Sequence, residues 1–134
     1  MSQSVNGYSA YLDNLADYQE VGHIPAFSTL AQIQTPGPSD LFVFIDELAA
    51  TEFDASFGMP PKGLSFFQDW QNCWFDMPAD RHNQGGNLSF ADGHVEHWQW
   101  KVPKVFTGYG QGVTAAEMPD YMQLQNAMLQ PATD

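Results

Sequence analysis

Asp92, His94 and Glu96 alternate along one short stretch of this chain, and His82 and His97 lie close to them in sequence. Imidazoles and carboxylates at such density can hold a metal or exchange protons with a substrate. His94 and His97 stand three residues apart, however. On a strand that spacing points them to opposite faces, so one zinc ion cannot readily take both. The acidic balance of the chain favours a hard, oxygen-bound cation, which makes calcium the metal to consider, with Asp92, Asn87 or the Asp46-Glu47 pair as ligands. Asp before Gly commonly serves backbone geometry, and for Asp92 that reading takes precedence. No cofactor is expected beyond this candidate calcium.

Hydrolytic chemistry can also be drawn on paper, with Ser89 as nucleophile, His82 or His94 as base and Asp46 as orienter. No serine sits in a Gly-x-Ser-x-Gly elbow, so the expectation is a chain without catalytic residues. Cys73 lies between Asn72 and Trp74 with no cationic neighbour in sequence to activate it, and is expected to be buried and inert. A disulfide to a cysteine outside this chain stays open. Asn87-Leu88-Ser89 matches a glycosylation acceptor, but inside an expected strand the match is read as coincidence.

The elements that would position these groups start with a hairpin. Asp92-Gly93 between two strand-like runs is a strong hairpin signal, because a two-residue type I′ turn needs φ > 0 at both central positions. In that register Ala91 faces His94, Phe90 faces Val95, Ser89 faces Glu96 and Leu88 faces His97. The core face would then carry Leu88, Phe90, Val95 and His97. The other would carry Asn87, Ser89, Ala91, His94, Glu96, Trp98 and Trp100. Upstream, Leu41-Phe42-Val43-Phe44-Ile45 reads as a strand buried on both faces and ended by Asp46 and Glu47.

Tyr8, Tyr11, Leu12, Leu15 and Tyr18 fit one face of a short helix. An irregular connection with Pro36-Gly37-Pro38 follows, packed through Ile24, Phe27, Leu30 and Ile33. Thr51 to Lys62 reads as a surface loop. Phe66, Phe67, Trp70, Trp74 and Phe75 concentrate five rings that are expected to supply much of the core, with a carbohydrate-stacking face as the alternative. After Lys101 come glycine-rich turns, then a closing helix opened by Pro119 with the stripe Tyr121, Leu124 and Met128, ending before Pro131.

The 134 residues suit one domain, and 43% hydrophobic residues, with ten Phe, five Tyr and four Trp, exclude a disordered chain. Sixteen acidic against four basic residues give a formal charge of −12, which argues against nucleic acid and against contact with an anionic membrane surface. A single cysteine precludes an internal disulfide. The stretch from Val21 to Ser39 is free of charge but broken by prolines, so it is no membrane helix, and Met1 to Gly7 carries no visible secretory signal.

Arg81-His82-Asn83-Gln84-Gly85-Gly86-Asn87-Leu88-Ser89-Phe90-Ala91-Asp92-Gly93-His94-Val95, with nine residues between His82 and Asp92-Gly93, resembles the C-terminal signature of bacterial prepilin-type, pseudopilin-like proteins. Pro78-Ala79-Asp80-Arg81, Glu96-His97-Trp98, Phe44-Ile45-Asp46-Glu47 and Ser4-Val5-Asn6-Gly7-Tyr8 are similar to the same pattern, and Leu124-Gln125-Asn126-Ala127 more faintly so. The resemblance implies an α+β fold: a small antiparallel β-sheet head of pilin-like type, with irregular loops and short helices. It marks His82, Gly85, Gly86, Asn87, Phe90, Asp92, Gly93 and His94 as structural motif positions without a catalytic role. It also implies a subunit of a type IV pilus or type II secretion pseudopilus, exported to the periplasm or cell surface, whose partners are other pilin-like subunits reached through an apolar N-terminal helix. That helix is expected to lie upstream of Ser2. Within the motif, Gly85-Gly86 is read as the point where the chain reverses before the hairpin, and His82 as a clasp bonding back onto it. The alternative is an exported glycan-binding module using Trp70, Trp74, Trp98 and Trp100.

Overall fold

The computed structural model describes residues 2–3, 29–52, 57–60 and 71–128. The expected helix at Tyr8 to Tyr18, Ile24 and Phe27 of the connection, and the rings of Phe66, Phe67 and Trp70 lie outside them. A four-stranded antiparallel sheet runs in the order β1 (Ser2–Gln3), β2 (Phe42–Ile45), β4 (Gly85–Phe90) and β5 (Val95–Gln99). A smaller sheet pairs β3 (Cys73–Trp74) with β6 (Gln111–Gly112). One helix, α1 (Met118–Asn126), and short 3-10 turns at Leu30–Gln32 and Ala49–Thr51 complete the described elements, giving a small α+β arrangement.

The strand β2 forms where the apolar run predicts it, between β1 and β4. Burial on both faces does not hold throughout. Leu41, Phe42 and Ile45 are buried, whereas Phe44 is 39% exposed on the outer face. The closing helix carries Tyr121 and Leu124 of the expected stripe, both buried, but it ends at Asn126, so Met128 is buried just beyond its end. Its start is set by Thr114, whose carbonyl accepts from Glu117 and Met118 N–H and whose hydroxyl reaches the Glu117 side chain. Helix and sheet close over one core in which Trp74 meets Tyr121 edge-on at 5.0 Å, and Phe42 meets Phe57 at 6.2 Å. The expected surface loop from Thr51 to Lys62 is corrected here, since Thr51, Phe57 and Met59 are buried. Hydrophobic burial outweighed the turn-rich composition of that stretch. Leu30, by contrast, is 53% exposed, so of the connection's described apolar anchors only Ile33 is buried.

The hairpin exists, but its loop differs by one residue. Phe90 N–H donates to His94 O and Gly93 N–H to Phe90 O, with Gly93 at φ +94°, so Ala91, Asp92 and Gly93 form a three-residue loop. Ser89 therefore opposes Val95, Leu88 opposes Glu96 and Asn87 opposes His97. A one-residue slip turns every side chain of the second strand over. Val95 and His97 are exposed, and Trp98 and Trp100 turn to the side of Leu88 and Phe90 instead. The reversal ahead of β4 is likewise not made by Gly85-Gly86. Asn83 and Gln84 make it, both at φ 55°.

The glycine pair has a different task, close approach. A Cβ on Gly85 would collide with the Trp98 carbonyl and stand 2.7 Å from the His97 ring, and one on Gly86 would stand 3.0 Å from Ala79 O. Ala79 belongs to a strap tied down by three bonds: Leu48 N–H to Met77 O, Ala79 N–H to Asp46 O, and the Trp100 indole N–H to Ala79 O. Gly85→Ala is expected to lose about 1–3 kcal/mol to overpacking. Gly112→Ala, which meets open space, should stay within about 0.5 kcal/mol. Urea unfolding of both variants checks this, and equal stabilities would refute it.

Beside Trp100, just past β5, lies a buried ion pair. Lys104 Nζ donates to Asp120 Oδ2 at 2.7 Å and to Val102 O at 2.9 Å, with the two side chains 0% and 2% exposed. The ammonium lies 5.4 Å from the centre of the Trp100 ring, and both Asp120 oxygens also accept from Lys101 N–H. Removing one partner strands the other charge, so Asp120→Asn should cost about 3–5 kcal/mol. The double variant Lys104→Met/Asp120→Asn should recover much of that, and denaturant curves of the three proteins make the comparison.

Candidate functional site

The sequence-predicted residues separate into two groups in space. The first gathers at Asp46, where β2 ends. Asp46 N–H donates to Asn87 O across the sheet at 3.0 Å, and Asn87 Nδ2 returns a bond to Asp46 Oδ2 at 3.3 Å. The carboxylate is buried, with Arg81 Nη2 at 3.8 Å and His82 Nε2 at 3.5 Å. His82 is itself gripped from the hairpin, because His97 Nε2–H donates to its carbonyl at 2.8 Å. The clasp therefore runs through the His82 main chain and through Asp46, and the imidazole of His82 faces the carboxylate.

The second group sits at the hairpin tip. Asp92 accepts from His94 N–H at 3.0 Å, the turn-forming bond expected of an Asp before Gly, and its Oδ1 also meets His94 Nδ1. His94 Nε2 contacts Glu96 Oε2 at 2.6 Å, and the imidazole stacks on Phe90 at 4.6 Å between ring centres. With a carboxylate on each nitrogen, bonding to Glu96 and then Asp92 raises the His94 pKa above its ordinary value. The same contacts hold Asp92 and Glu96 low, Asp92 chiefly through the His94 backbone N–H and Glu96 through the His94 ring.

Ser89 does not complete a catalytic set. It lies in the ladder between Phe44 and Val95, and no hydrogen bond joins it to His82 or His94 among the described residues. The calcium candidates are not assembled either. Asp46 and Asn87 are neighbours, Glu47 is buried and accepts from Thr51 Oγ1 at 3.0 Å, and Asp92 is committed to His94. No cluster of three or more His, Cys, Asp or Glu able to hold a metal ion occurs among the described residues. Cys73 is a half-buried free thiol on β3, more accessible than expected. Of the four tryptophans considered for a stacking face, Trp74 and Trp100 are core residues, Trp98 is half-buried, and Trp70 lies outside the described residues.

Sequence reasoning missed two features. One is the Lys104–Asp120 pair, whose signal was a lysine set among Val102, Val105 and Phe106 in a chain with four basic residues. The other is a groove of about 380 Å³ between the hairpin, α1 and the segment at 36–40, lined by Asp40, Phe90, Glu96, Trp98, Gln123 and Asn126 among others. Comparison of the chain with protein-family models, with curated proteins and with solved structures gives no match.

The tip cluster fixes a pH dependence. Its two carboxylates stabilise the fold fully above the ordinary Glu value of 4.5, and lose that contribution as pH falls through their lowered values. His94 stabilises fully below its ordinary 6.5 and loses the contribution as pH rises through its raised value. The contributions coincide between 4.5 and 6.5. These side chains are 35 to 43% exposed, so the effect is small and shrinks with salt. At low ionic strength His94→Gln should flatten the melting-temperature profile from mildly acidic pH upward. A profile parallel to the parent's would contradict it.

Proposed function

We propose that this chain is the exported, non-catalytic head of a pilin-like or pseudopilin-like filament subunit, working in the periplasm or at the cell surface. One observation supports this above the others: the residues of the stretch resembling the prepilin-type signature are engaged in holding the hairpin. Asn87 and His82 meet Asp46, His97 binds the His82 carbonyl, Asp92 fixes the turn with His94, and Gly85 and Gly86 admit their neighbours. A signature spent on bracing suits a part that acts by shape and assembly.

In this reading an apolar helix of the kind such subunits carry drives packing into a filament, and the head determines which neighbours fit. Phe44 and Val95 lie across Ser89 on the outer sheet face, 39% and 65% exposed, and leave apolar surface of the sort such a head would turn to a neighbouring element. The strongly acidic surface stays solvated and keeps heads from associating on their own.

The test is made on the natural protein in its own cells. Cross-linking in intact cells should yield ladders with other pilin-like subunits, and the mature protein, measured by mass spectrometry, should begin with a processed apolar segment upstream of Ser2. Recovery only as an uncross-linked cytoplasmic protein would overturn the proposal.

A further inference from the structure

The groove beside the hairpin has the makings of a binding site that the filament reading does not use. It is built on backbone that three elements pin together. Asp92 N–H donates to Pro38 O at 3.1 Å and Ala91 N–H to Leu41 O at 2.9 Å, tying the hairpin tip to the segment that carries Asp40. Phe42 N–H donates to Ala127 O at 3.0 Å, tying the end of α1, which carries Gln123 and Asn126, to the sheet. The volume of about 380 Å³ falls within the roughly 300–1,000 Å³ typical of small-molecule sites.

Its lining defines the chemistry. The Trp98 indole N–H donates to Glu96 Oε1 at 3.1 Å, so the indole offers the groove carbon surface alone, set against Phe90 at 6.0 Å between ring centres. Glu96 is held in turn by His94 on its other oxygen. Across from them Gln123 and Asn126 are exposed, and neither side chain has a hydrogen bond among the described residues. Each amide both donates and accepts, and the Asp40 carboxylate adds acceptors. A ligand that satisfies this set needs groups able to donate and accept together, on a body with one apolar face. A cation would use only the acceptors and leave both amide NH₂ groups unmatched, and an apolar ligand would strand all three polar side chains.

We infer that the groove between Trp98 and the Gln123–Asn126 edge of α1 binds a neutral pyranose, with the ring's C–H face against Trp98 and its hydroxyls on Gln123, Asn126 and Asp40. The inference is independent of the filament reading. A sugar could be held by this groove whether or not the chain assembles.

The experiment is an NMR titration of the chain with the methyl glycosides of the common neutral hexoses, followed at the Trp98 indole N–H and the Gln123 and Asn126 side-chain NH₂ signals. At least one glycoside should shift these three sites together and saturably, with millimolar affinity. Gln123→Ala/Asn126→Ala, at exposed helix positions, should weaken binding at least tenfold while the rest of the spectrum stays folded. Trp98→Phe, which keeps a ring, should weaken it less. A panel that moves none of these signals, or shifts mapping to another face, would overturn the inference. So would perturbation by a lysine-rich peptide alone, lost on Asp40→Asn, which would make the groove a cation site.

Discussion

The strand β4 carries no side chain at Gly85 and Gly86, and the rest of the structure is arranged around that bareness. Two pieces of chain press against the same short backbone: β5 through the Trp98 carbonyl and the His97 ring, and the Ala79 strap. Close approach lets the Trp100 indole reach Ala79 O at 2.7 Å and lets His97 reach the carbonyl of His82. Methyl groups at these positions would push both neighbours outward, and the bonds that close the core beneath them would open.

From that contact the polar network follows in order. With the strap in place, Asp46 accepts from Ala79 N–H through its carbonyl and faces Arg81 and His82 with its carboxylate, while Asn87 bonds it from the neighbouring strand. The carboxylate is buried but rimmed by the exposed Arg81 guanidinium and His82 imidazole, so its worth lies in joining strap, strand and hairpin at one point more than in raw Coulomb energy. Lys104 and Asp120 repeat the device more deeply, joining the segment after β5 to the first turn of α1, and a fully buried charge leaves that junction little freedom to rearrange.

Bracing and binding divide the hairpin between them. Its base, at Gly85, Gly86 and His97, is locked into the sheet, while its tip carries the exposed Asp92–His94–Glu96 chain, whose last member also orients Trp98 over the groove. His94 thus reaches the indole by two routes, through Glu96 by hydrogen bonds and through the Phe90 ring by stacking. A single element provides both rigidity at one end and a chemically varied surface at the other.

Read along the chain alone, the residues already specify a strand at the apolar run ending in Ile45, a hairpin turned at Asp92-Gly93, Leu88 and Phe90 on the core side, and a helix sealed against it by Tyr121 and Leu124. Each is a local property of propensity, period or turn chemistry. The register of β5 was settled by packing instead. An Asp-Gly pair can close a two-residue loop or a three-residue loop with Gly in the left-handed region, and here distant partners accompany the longer one: Leu41 and Pro38 accept from the loop's Ala91 and Asp92 N–H, and Trp100 is buried while His97 is exposed. The same holds for the burial of Lys104, the role of the glycine pair and the meeting of Asp46 with His82. These depend on which surfaces come within contact distance once the chain has packed, and no spacing along the chain records that.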